Sequence, residues 1–296
     1  MIKKIDPKKV SIPEFHRLML AAIAPRPIAF ASTINKDGHP NLSPFSFFNA
    51  FGSNPPTLVF SPSRRGRDNT TKNTFDNLKE VPEVVINVVT YDMVEQMNLA
   101  SAEYASDINE FEKAGFTSLS SEKVLPLRVK ESPVQFECKV KQIIETGKLG
   151  GAGNLVICEI LLAHFNENIM DENGNIHPDK LDLVGRLGGD YYVRTSGDAN
   201  FKVSKPPSKP GIGVDKLPLK IRLSKILTGN DLGKLGNAPS LPDQQFIDSL
   251  MEGNEIKKIL IPYKDNPEEL ETQLQKKAQS LIAENKIMEA LGVLLI

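Results

Sequence analysis

The stretch VQFECKVKQIIETGKLGGAGNLVICEILLAHF, residues 134–165, decides the class of fold. Residues 134–141 alternate apolar and polar side chains without a break, which is typical of a strand with one face on a core and the other in water. Residues 155–165 are more apolar on both faces and predict a second long strand. A loop with four glycines joins the two at residues 147–154. The stretch therefore predicts a long hairpin.

Shorter runs predict further elements around this hairpin. Strands are predicted at residues 28–33, 42–51, 57–61 and 84–90. An Asp-Gly turn after the first of these favours a tight hairpin. Helices are predicted at residues 11–23, capped by Ser11, at 71–80, and at 92–102, capped by Asp92. Strands with helices inserted between them favour a mainly β fold, an antiparallel barrel with added helices, over a parallel doubly wound sheet.

The composition is that of an ordinary globular protein. The 296 residues are 40% hydrophobic and 25% charged, and the formal net charge is -1, so no basic excess attracts nucleic acid. The first residues lack the apolar core of a signal peptide, and no run approaches the roughly 20 apolar residues of a membrane span. We therefore expect a cytoplasmic protein with no nucleic-acid or membrane partner. An anionic ligand would have to be bound locally.

Neither a metal site nor a nucleophile has a convincing signature. Cys138 and Cys158 lie in strand-like runs without a CxxC motif, so buried reduced thiols are expected instead of metal ligands. The four histidines are scattered and are expected to be structural or exposed. The glycine-rich residues 147–153 precede a strand instead of opening a helix, so they do not indicate a dinucleotide fold.

Cations and hydroxyl groups are concentrated just before the predicted helix at residues 71–80. The cations are Arg64, Arg65, Arg67 and Lys72, interspersed with serines and threonines. A helix N-terminus attracts phosphate through its free N–H groups and its dipole. A solvated basic loop is an equally good interpretation of this segment alone.

Residues 43–49, SPFSFFN, offer aromatic area and backbone amides to a flat heterocycle. A plain core strand is the better interpretation of the phenylalanines, but it explains polar groups in an apolar run less well. These polar residues are Ser43, Ser46 and Asn49. Residues 186–192, RLGGDYY, also have two interpretations. In one, Arg186 and the tyrosines cover a ligand; in the other, the segment is a tight turn with aromatic packing.

The composition changes after about residue 200. Residues 205–218 are rich in proline and glycine and predict a linker, and residues 227–243 resemble irregular chain. Asn266, followed by a proline and then an acidic residue at the third helical position, marks the start of a helix that continues toward Leu291. We expect a barrel domain at residues 1–203 and a linker plus helical C-terminal extension at residues 204–296.

Several segments occur in an order and spacing that resemble the flavin reductase-like family of FMN-binding split barrels. They are PRPIAFAST (25–33), the Asp-Gly turn, NLSPFSFFN (41–49), PPTLVFSPS (55–63), KNTFDN (72–77) and VVINVV (84–89). The resemblance covers about residues 10–200. It implies a six-stranded split barrel, usually a homodimer, that holds FMN near the subunit interface.

The resemblance also implies which residues contact the cofactor. The SPFSFFN run would lie along the isoalloxazine through backbone amides and through Ser43, Phe45, Ser46, Phe48 and Asn49.

Lys72 and Thr74 are implied to hold the FMN phosphate, and Asn77 to support the loop, with Ser61 close by. Arg186 would reach the flavin or the nicotinamide.

Asn73 is a departure from the family motif, which usually reads Lys-Asp-Thr. The asparagine keeps the size and the hydrogen bonding of the aspartate but loses its charge. A role that requires a carboxylate at this position is therefore in doubt, while phosphate binding is not.

The family implies an NAD(P)H-dependent flavin oxidoreductase, in which a nicotinamide passes hydride to N5 of FMN, bound tightly or as a substrate. Reduced flavin would then serve a monooxygenase, iron or another acceptor. Two alternatives stay open: a non-catalytic FMN-binding electron carrier, and an enzyme like pyridoxamine-phosphate oxidase on a related barrel.

Overall fold

The computed structural model describes residues 1–203 and 209–296, which form two compact units, Met1–Phe201 and Lys202–Ile296. The expected boundary after residue 203 and part of the predicted linker fall on residues 204–208, outside the described residues. Within the described ranges, every helix is too short or too polar to cross a membrane.

The first unit is built mainly from strands. They are β1 (Ala29–Ile34), β2 (Pro40–Phe45), β3 (Phe48–Ser53), β4 (Pro56–Phe60), β5 (Glu83–Val88), β6 (Ser118–Leu119), β7 (Arg128–Val129), β8 (Val134–Glu145), β9 (Asn154–Phe165), β10 (Val184–Arg186) and β11 (Tyr192–Arg194). Its helices are α1 (Ile12–Ala22), α2 (Asn73–Glu80), α3 (Val94–Leu99), α4 (Glu110–Ala114) and α5 (Pro178–Leu181).

Seven strands form one antiparallel sheet in the order β2-β1-β5-β8-β9-β4-β3. The β8–β9 hairpin is at its centre, with a register from Val134 opposite Phe165 to Glu145 opposite Asn154. The successive strands β2 and β3 lie at opposite edges. Three chain steps connect them and reach at most about 11 Å. The two edges must therefore lie close together, which curls the sheet into a barrel.

The single strand predicted at residues 42–51 is wrong. The run is interrupted at Ser46 and Phe47, where the chain leaves one edge of the sheet and joins the other. An apolar pattern does not register such a corner, because the residues stay partly buried on both sides of it. This division gives one strand more than the six that the family resemblance implies.

Strand β1 separates two cores. Ala29 and Ala31 belong to the cluster inside the barrel, together with Phe60 and the two cysteines. Phe30, on the opposite face, packs with residues of the helical layer such as Phe111. Alternate side chains of a strand point to opposite faces, so a strand covered on both sides is apolar throughout.

The predicted water-facing side of the 134–141 strand is wrong at Gln135 and Glu137, which are 6% and 0% exposed. The Glu137 carboxylate accepts hydrogen bonds from the N–H groups of Glu122 and Lys123 and pairs with His164 Nε2 at 2.7 Å. These donors replace water around the buried charge. Glu137 thereby fastens the 120–125 loop to the sheet.

Two helix predictions had different outcomes. Ser11 caps α1 as predicted, since its hydroxyl accepts the N–H of Glu14. The helix predicted at 92–102 is shorter: a 3-10 turn at Tyr91–Met93 precedes α3, so Asp92 is not its cap.

The second unit is helical, which confirms the predicted extension. Its helices are α6 (Leu219–Arg222), α7 (Gly229–Gly236), α8 (Gln244–Glu252), α9 (Asn254–Tyr263), α10 (Pro267–Ala283) and α11 (Ile287–Leu295). The irregular chain predicted at 227–243 is wrong over α7, which a Thr228–Asp231 capping box begins despite its glycines. The helix that Asn266 caps ends at Ala283, before a positive φ at Asn285, instead of continuing to Leu291.

Candidate functional site

A polar cleft lies at the N-terminal end of α2. Four residues that the sequence suggested for the site line it: Ser43, Lys72, Asn73 and Thr74. The other lining residues are Asn41, Arg65, Ala102, Glu103, Tyr104 and Glu110. Strand β2, the start of α2 and the chain after α3 thus contribute to one small polar site.

Lys72 brings an uncompensated positive charge to this cleft. It is half-buried, and burial together with the neighbouring Arg65 lowers the pKa of its ammonium group. In the described chain, Lys72 Nζ forms neither an ion pair nor a hydrogen bond, because Glu103 pairs with Arg65 and Arg67. Burying a cation without a partner is costly. An anion in the cleft would remove that cost.

The first turn of α2 adds free donors beside Lys72. The N–H groups of Phe75 and Asp76 bond to the Lys72 carbonyl, whereas those of Asn73 and Thr74 have no acceptor in the described residues. The buried Thr74 hydroxyl accepts a hydrogen bond from Asn41 Nδ2 at 2.9 Å, which leaves its proton free for a ligand. A cation, free amides and a hydroxyl are the donors that a small anion requires, and they adjoin the carboxylates of Glu103 and Glu110 in this cleft.

The three arginines of the preceding loop are mostly engaged within it. Arg64 bonds to the Asn69 side chain and carbonyl, both at 2.8 Å. Arg65 bonds to Glu103 and the Thr71 carbonyl, and Arg67 to Glu103. These arginines fix the shape of the loop, and Lys72 is the cation that lacks such partners in the described chain.

A second cleft has a volume of about 180 Å³. It is lined by Ile28, Pro44, Ser46, Met97, Asn98, Ser101, Arg186 and Tyr192. Ser43 and Pro44, neighbours in the chain, line the first and the second cleft respectively. The structure thus brings Ser46 and Arg186 together across the sequence.

A third cleft, of about 440 Å³, shares a wall with the second. The shared residues are Asn98, Arg186 and Tyr192. The remaining wall comes from Tyr91, Val94, Glu95, Val184, Asp190, Val193 and Arg194. The second and third clefts therefore adjoin each other, and the first is related to this row through the neighbouring residues Ser43 and Pro44 of β2.

Arg26 supports the corner between β2 and β3, and sequence reasoning missed it. The guanidinium is 6% exposed and donates to Ser46 Oγ at 3.4 Å and to the carbonyls of Ile23 and Leu187 at 2.6 and 2.8 Å. It holds the end of α1, the corner and the loop after Arg186 together. A charged residue between two prolines, directly before a buried strand, was the available signal.

Asn41 and Glu110 were also missed. Asn41 donates to Thr33 as well as to Thr74. Glu110, buried at the start of α4, accepts the N–H of Leu42 at 3.0 Å, and burial raises the pKa of its carboxyl group. No local pattern in the sequence indicates the role of Glu110, because its contact with Leu42 joins distant segments.

Five of the suggested residues lie outside the clefts. Phe45 and Phe48 pack in the barrel core, and Asn49 is exposed on β3. Ser61 is buried and accepts the N–H of Asn154 at 3.0 Å, while Asn77 donates to Thr33 at 3.2 Å. Their side chains support strands and loops of this chain.

The described residues include neither a candidate metal site nor a candidate reactive thiolate. No group of three or more His, Cys, Asp or Glu side chains could hold a metal ion there. Burial raises the pKa of the Cys158 thiol to about 12 and that of Cys138 higher still, so both thiols stay protonated at neutral pH.

Comparisons with solved structures find a similar fold in two proteins of known activity class, a monooxygenase component and a nitroreductase. Component B of nitrilotriacetate monooxygenase from Bacillus cereus is 28% identical, and the match covers 69% of this chain and 99% of that one with a TM-score of 0.64. The 2-nitrobenzoate 2-nitroreductase NbaA of Pseudomonas fluorescens is 29% identical, with 71% and 100% coverage and a TM-score of 0.62.

A flavin reductase with a split barrel domain from Shewanella frigidimarina, with a TM-score of 0.56, covers 67% of this chain and 96% of its own. At 24% identity it shows the fold alone, and it confirms the predicted split barrel.

The sequence comparisons agree with the structural ones. An uncharacterized protein of Aquifex aeolicus is 40% identical over 188 residues, which are 64% of this chain and 93% of the relative. The model of the flavin reductase like domain matches residues 21–181, which include the whole lining of the first cleft and most of that of the second, but only Tyr91, Val94, Glu95 and Asn98 of the third. The chain therefore belongs to the flavin reductase-like family.

Proposed function

We propose that this protein is an NAD(P)H-dependent flavin oxidoreductase that binds FMN along the row of clefts. The observation that carries the proposal is the unpartnered, half-buried ammonium of Lys72 beside the free N–H groups of α2. A phosphate monoester is an anion of suitable size for such a site, and it is the one charged group of FMN.

The phosphate would be held by Lys72, by the Thr74 hydroxyl and by the N–H groups of Asn73 and Thr74. These donors match a phosphate because it offers several acceptor oxygens to convergent N–H and O–H groups. Asn73 contributes through its backbone, while its side chain donates to the Tyr104 carbonyl at 3.4 Å. The phosphate contacts therefore do not depend on a carboxylate at residue 73.

The ring system would lie in the second cleft. Ile28, Pro44 and Met97 supply apolar surface, and Ser46, Asn98 and Arg186 supply polar groups at its margin. A cleft that combines apolar surface with polar groups can seat a flat cofactor whose edge carries hydrogen-bonding atoms. The bound flavin would supply hydride chemistry, and the protein's task is to position the ring, exclude water and set the local charge.

The third cleft is the proposed approach for the nicotinamide donor, since it adjoins the ring site through Asn98, Arg186 and Tyr192. Acid–base residues are not required for hydride transfer between the two rings. This agrees with clefts whose described lining contains no histidine and no cysteine.

The proposal includes a homodimer. Phe51 on β3 and Leu155 and Leu161 on β9 are 68%, 37% and 42% exposed, and apolar side chains gathered on one sheet are typical of an interface. Light scattering after size-exclusion chromatography should give twice the mass of the chain, and Leu161→Glu should shift it toward the monomer.

We further propose that reduced flavin serves a separate acceptor, such as a partner monooxygenase or iron. The support is the similarity to component B of a monooxygenase. We also propose that the protein works in the cytoplasm, where NAD(P)H is available.

Stopped-flow mixing of the FMN-loaded protein with NADH and with NADPH tests the activity. We expect the visible flavin band to bleach with at least one donor. Bleaching by a separate reductase alone would establish the electron carrier instead, and oxidation of pyridoxamine phosphate without bleaching by either donor would establish the oxidase alternative.

A further inference from the structure

Arg26 and Arg186 form a directly opposed pair of cations, of which Arg186 lines the second cleft and Arg26 is buried behind it. They exchange backbone hydrogen bonds, from Arg26 N to the Arg186 carbonyl at 2.9 Å and from Arg186 N to the Arg26 carbonyl at 2.8 Å. In such an antiparallel pair the two side chains leave the backbone on the same side. Two guanidinium groups therefore share one corner of the molecule.

Neither guanidinium has a carboxylate partner in the described residues. Arg26 donates to carbonyls and to Ser46, and Arg186 donates to the Gly189 carbonyl at 2.7 Å and lies 4.4 Å from the Tyr192 ring centre. Carbonyls satisfy the donors but do not neutralise the charge. Burial and the positive charge of Arg186 together lower the pKa of Arg26, as expected for cations that repel each other.

Arg194 provides an internal contrast on the same ribbon. It also lies over a tyrosine, 3.9 Å from the Tyr91 ring centre, but it makes two hydrogen bonds to the Asp182 carboxylate at 2.8 and 2.7 Å. The charge of Arg194 is balanced, and that of Arg186 is not. In the described chain, Arg186 thus has no ion-pair partner at the end of the ribbon that faces the second and the third cleft, although Asp190 also lines the third.

Hydride transfer creates a need for such a charge. A bound flavin would supply a ring that gains one negative charge when it accepts a hydride, two electrons and one proton, from NAD(P)H, which would leave as NAD(P)⁺. A cation fixed beside the ring stabilises that charge as it develops.

We infer that Arg186, reinforced by Arg26, binds the reduced, negatively charged ring more tightly than the oxidised ring. This inference rests on the proposed function and adds a residue that sets the reduction potential of the bound flavin. Arg186 is held in place for this role by Tyr192 and the Gly189 carbonyl.

The test measures the dissociation constant of FMN in both redox states. Fluorescence or absorbance titration gives the oxidised value, and anaerobic titration with dithionite-reduced FMN gives the reduced value. We expect Arg186→Gln to weaken the binding of reduced FMN about tenfold more than the binding of oxidised FMN. For a two-electron couple, that ratio lowers the midpoint potential of the bound flavin by about 30 mV.

Two matched variants accompany it. Arg186→Lys keeps the charge and should retain most of the wild-type ratio, while Arg194→Gln removes a balanced cation from the same ribbon and should leave the ratio unchanged. Arg26→Gln should also lower the preference for reduced FMN; if this variant does not fold, the Arg186 and Arg194 variants decide.

An unchanged ratio in Arg186→Gln overturns the inference, as does an equal loss of both redox forms, which would make Arg186 an ordinary binding contact. A similar effect of Arg194→Gln also overturns it, since removing a cation that is already paired with Asp182 would then suffice. Failure of the wild-type protein to bind FMN is a distinct result, and it rejects the proposed function itself.

Discussion

The Lys72 cleft and the Arg26–Arg186 corner both present cations, but they lack different things. Lys72 and the first amides of α2 lack hydrogen-bond acceptors as well as a counter-charge in the described chain. The corner arginines have acceptors for their donors and lack only the counter-charge. The first arrangement gains most from holding a ligand permanently. The second arrangement is stabilised most when a bound ligand becomes negatively charged. In the proposed function, the Lys72 cleft therefore holds the phosphate, and the Arg26–Arg186 corner responds to the charge of the ring.

The largest expected effect is on the binding side of this comparison. Lys72→Ala should weaken the binding of oxidised FMN by about 1.5 to 3 kcal/mol, because a charge-assisted phosphate contact is lost. The dissociation constant should therefore rise roughly 10- to 150-fold. Isothermal titration measures it. Lys79→Ala is the control, since that lysine lies on the same helix, is exposed and pairs with Glu145 at 3.6 Å. Equal losses in both variants would show that the phosphate is not bound at Lys72.

Gly188→Ala should disturb the corner and spare the Lys72 cleft. A Cβ at residue 188 would lie 2.7 Å from the Ala21 Cβ and 2.8 Å from its Cα, so α1 would have to move. We expect a loss of about 1 to 3 kcal/mol in the free energy of unfolding, measured by urea denaturation. Gly66→Ala, where a Cβ meets nothing within 4 Å, should cost nothing. A silent Gly188→Ala would contradict the close packing of α1 on this loop.

Glu137, which lines none of the three clefts, should have a smaller and pH-dependent effect on the free energy of unfolding. Burial alone would raise the pKa of Glu137, but the N–H groups of Glu122 and Lys123 and the His164 contact outweigh it, so its pKa is lowered. Ionised Glu137 therefore stabilises the fold above the unfolded-state pKa of about 4.3, and this stability is lost as the pH falls below that value. Glu137→Gln should cost about 1 to 2 kcal/mol at pH 7.

The measurement is urea denaturation of wild type and Glu137→Gln between pH 7 and pH 3. The difference between them should be constant down to about pH 5 and shrink below it. A difference that grows in acid would mean that the carboxylate is protonated in the folded protein. The affinity for FMN at pH 7 should be the same in both proteins, because Glu137 lines none of the three clefts.

The smallest expected effect is that of removing the second unit. A chain ending at residue 203 should remain soluble and bind FMN with unchanged affinity, because all residues assigned to the phosphate and the ring lie within Met1–Phe201. Size-exclusion chromatography and FMN titration check this. An insoluble product, or one that has lost FMN binding, would show that the extension completes the fold.

The sequence predicted best what depends on neighbours in the chain. Ser11 and Asn266 were recognisable caps because the capping contact spans three residues, and Lys72 with Thr74 was recognisable because one helical turn displays both. Arg26, Asn41 and Glu110 were not predicted. Each is buried by a partner from a distant segment, Leu187, Thr74 and Leu42 respectively, and no local pattern encodes such a contact.

Glycine-rich segments were the least predictable. Residues 227–236 carry three glycines, yet α7 forms there because the capping box and the buried Leu235 outweigh the low helix propensity of glycine. The corner at Ser46 and Phe47 was missed for the opposite reason, since nothing in an apolar, partly aromatic run indicates a break.

That two-residue corner closes the barrel and also carries Ser46, the contact of Arg26. Its length therefore fixes how far apart the two edge strands stand and, with them, the width of the slot beneath the arginines. An insertion of a single residue there would widen the slot and misalign Ser46 at once, whereas the hairpin loop at residues 147–153 has no such coupling to the ring site. Under the proposed function, the geometry of the ring site is thus tied to a chain length, which side-chain substitutions alone cannot adjust.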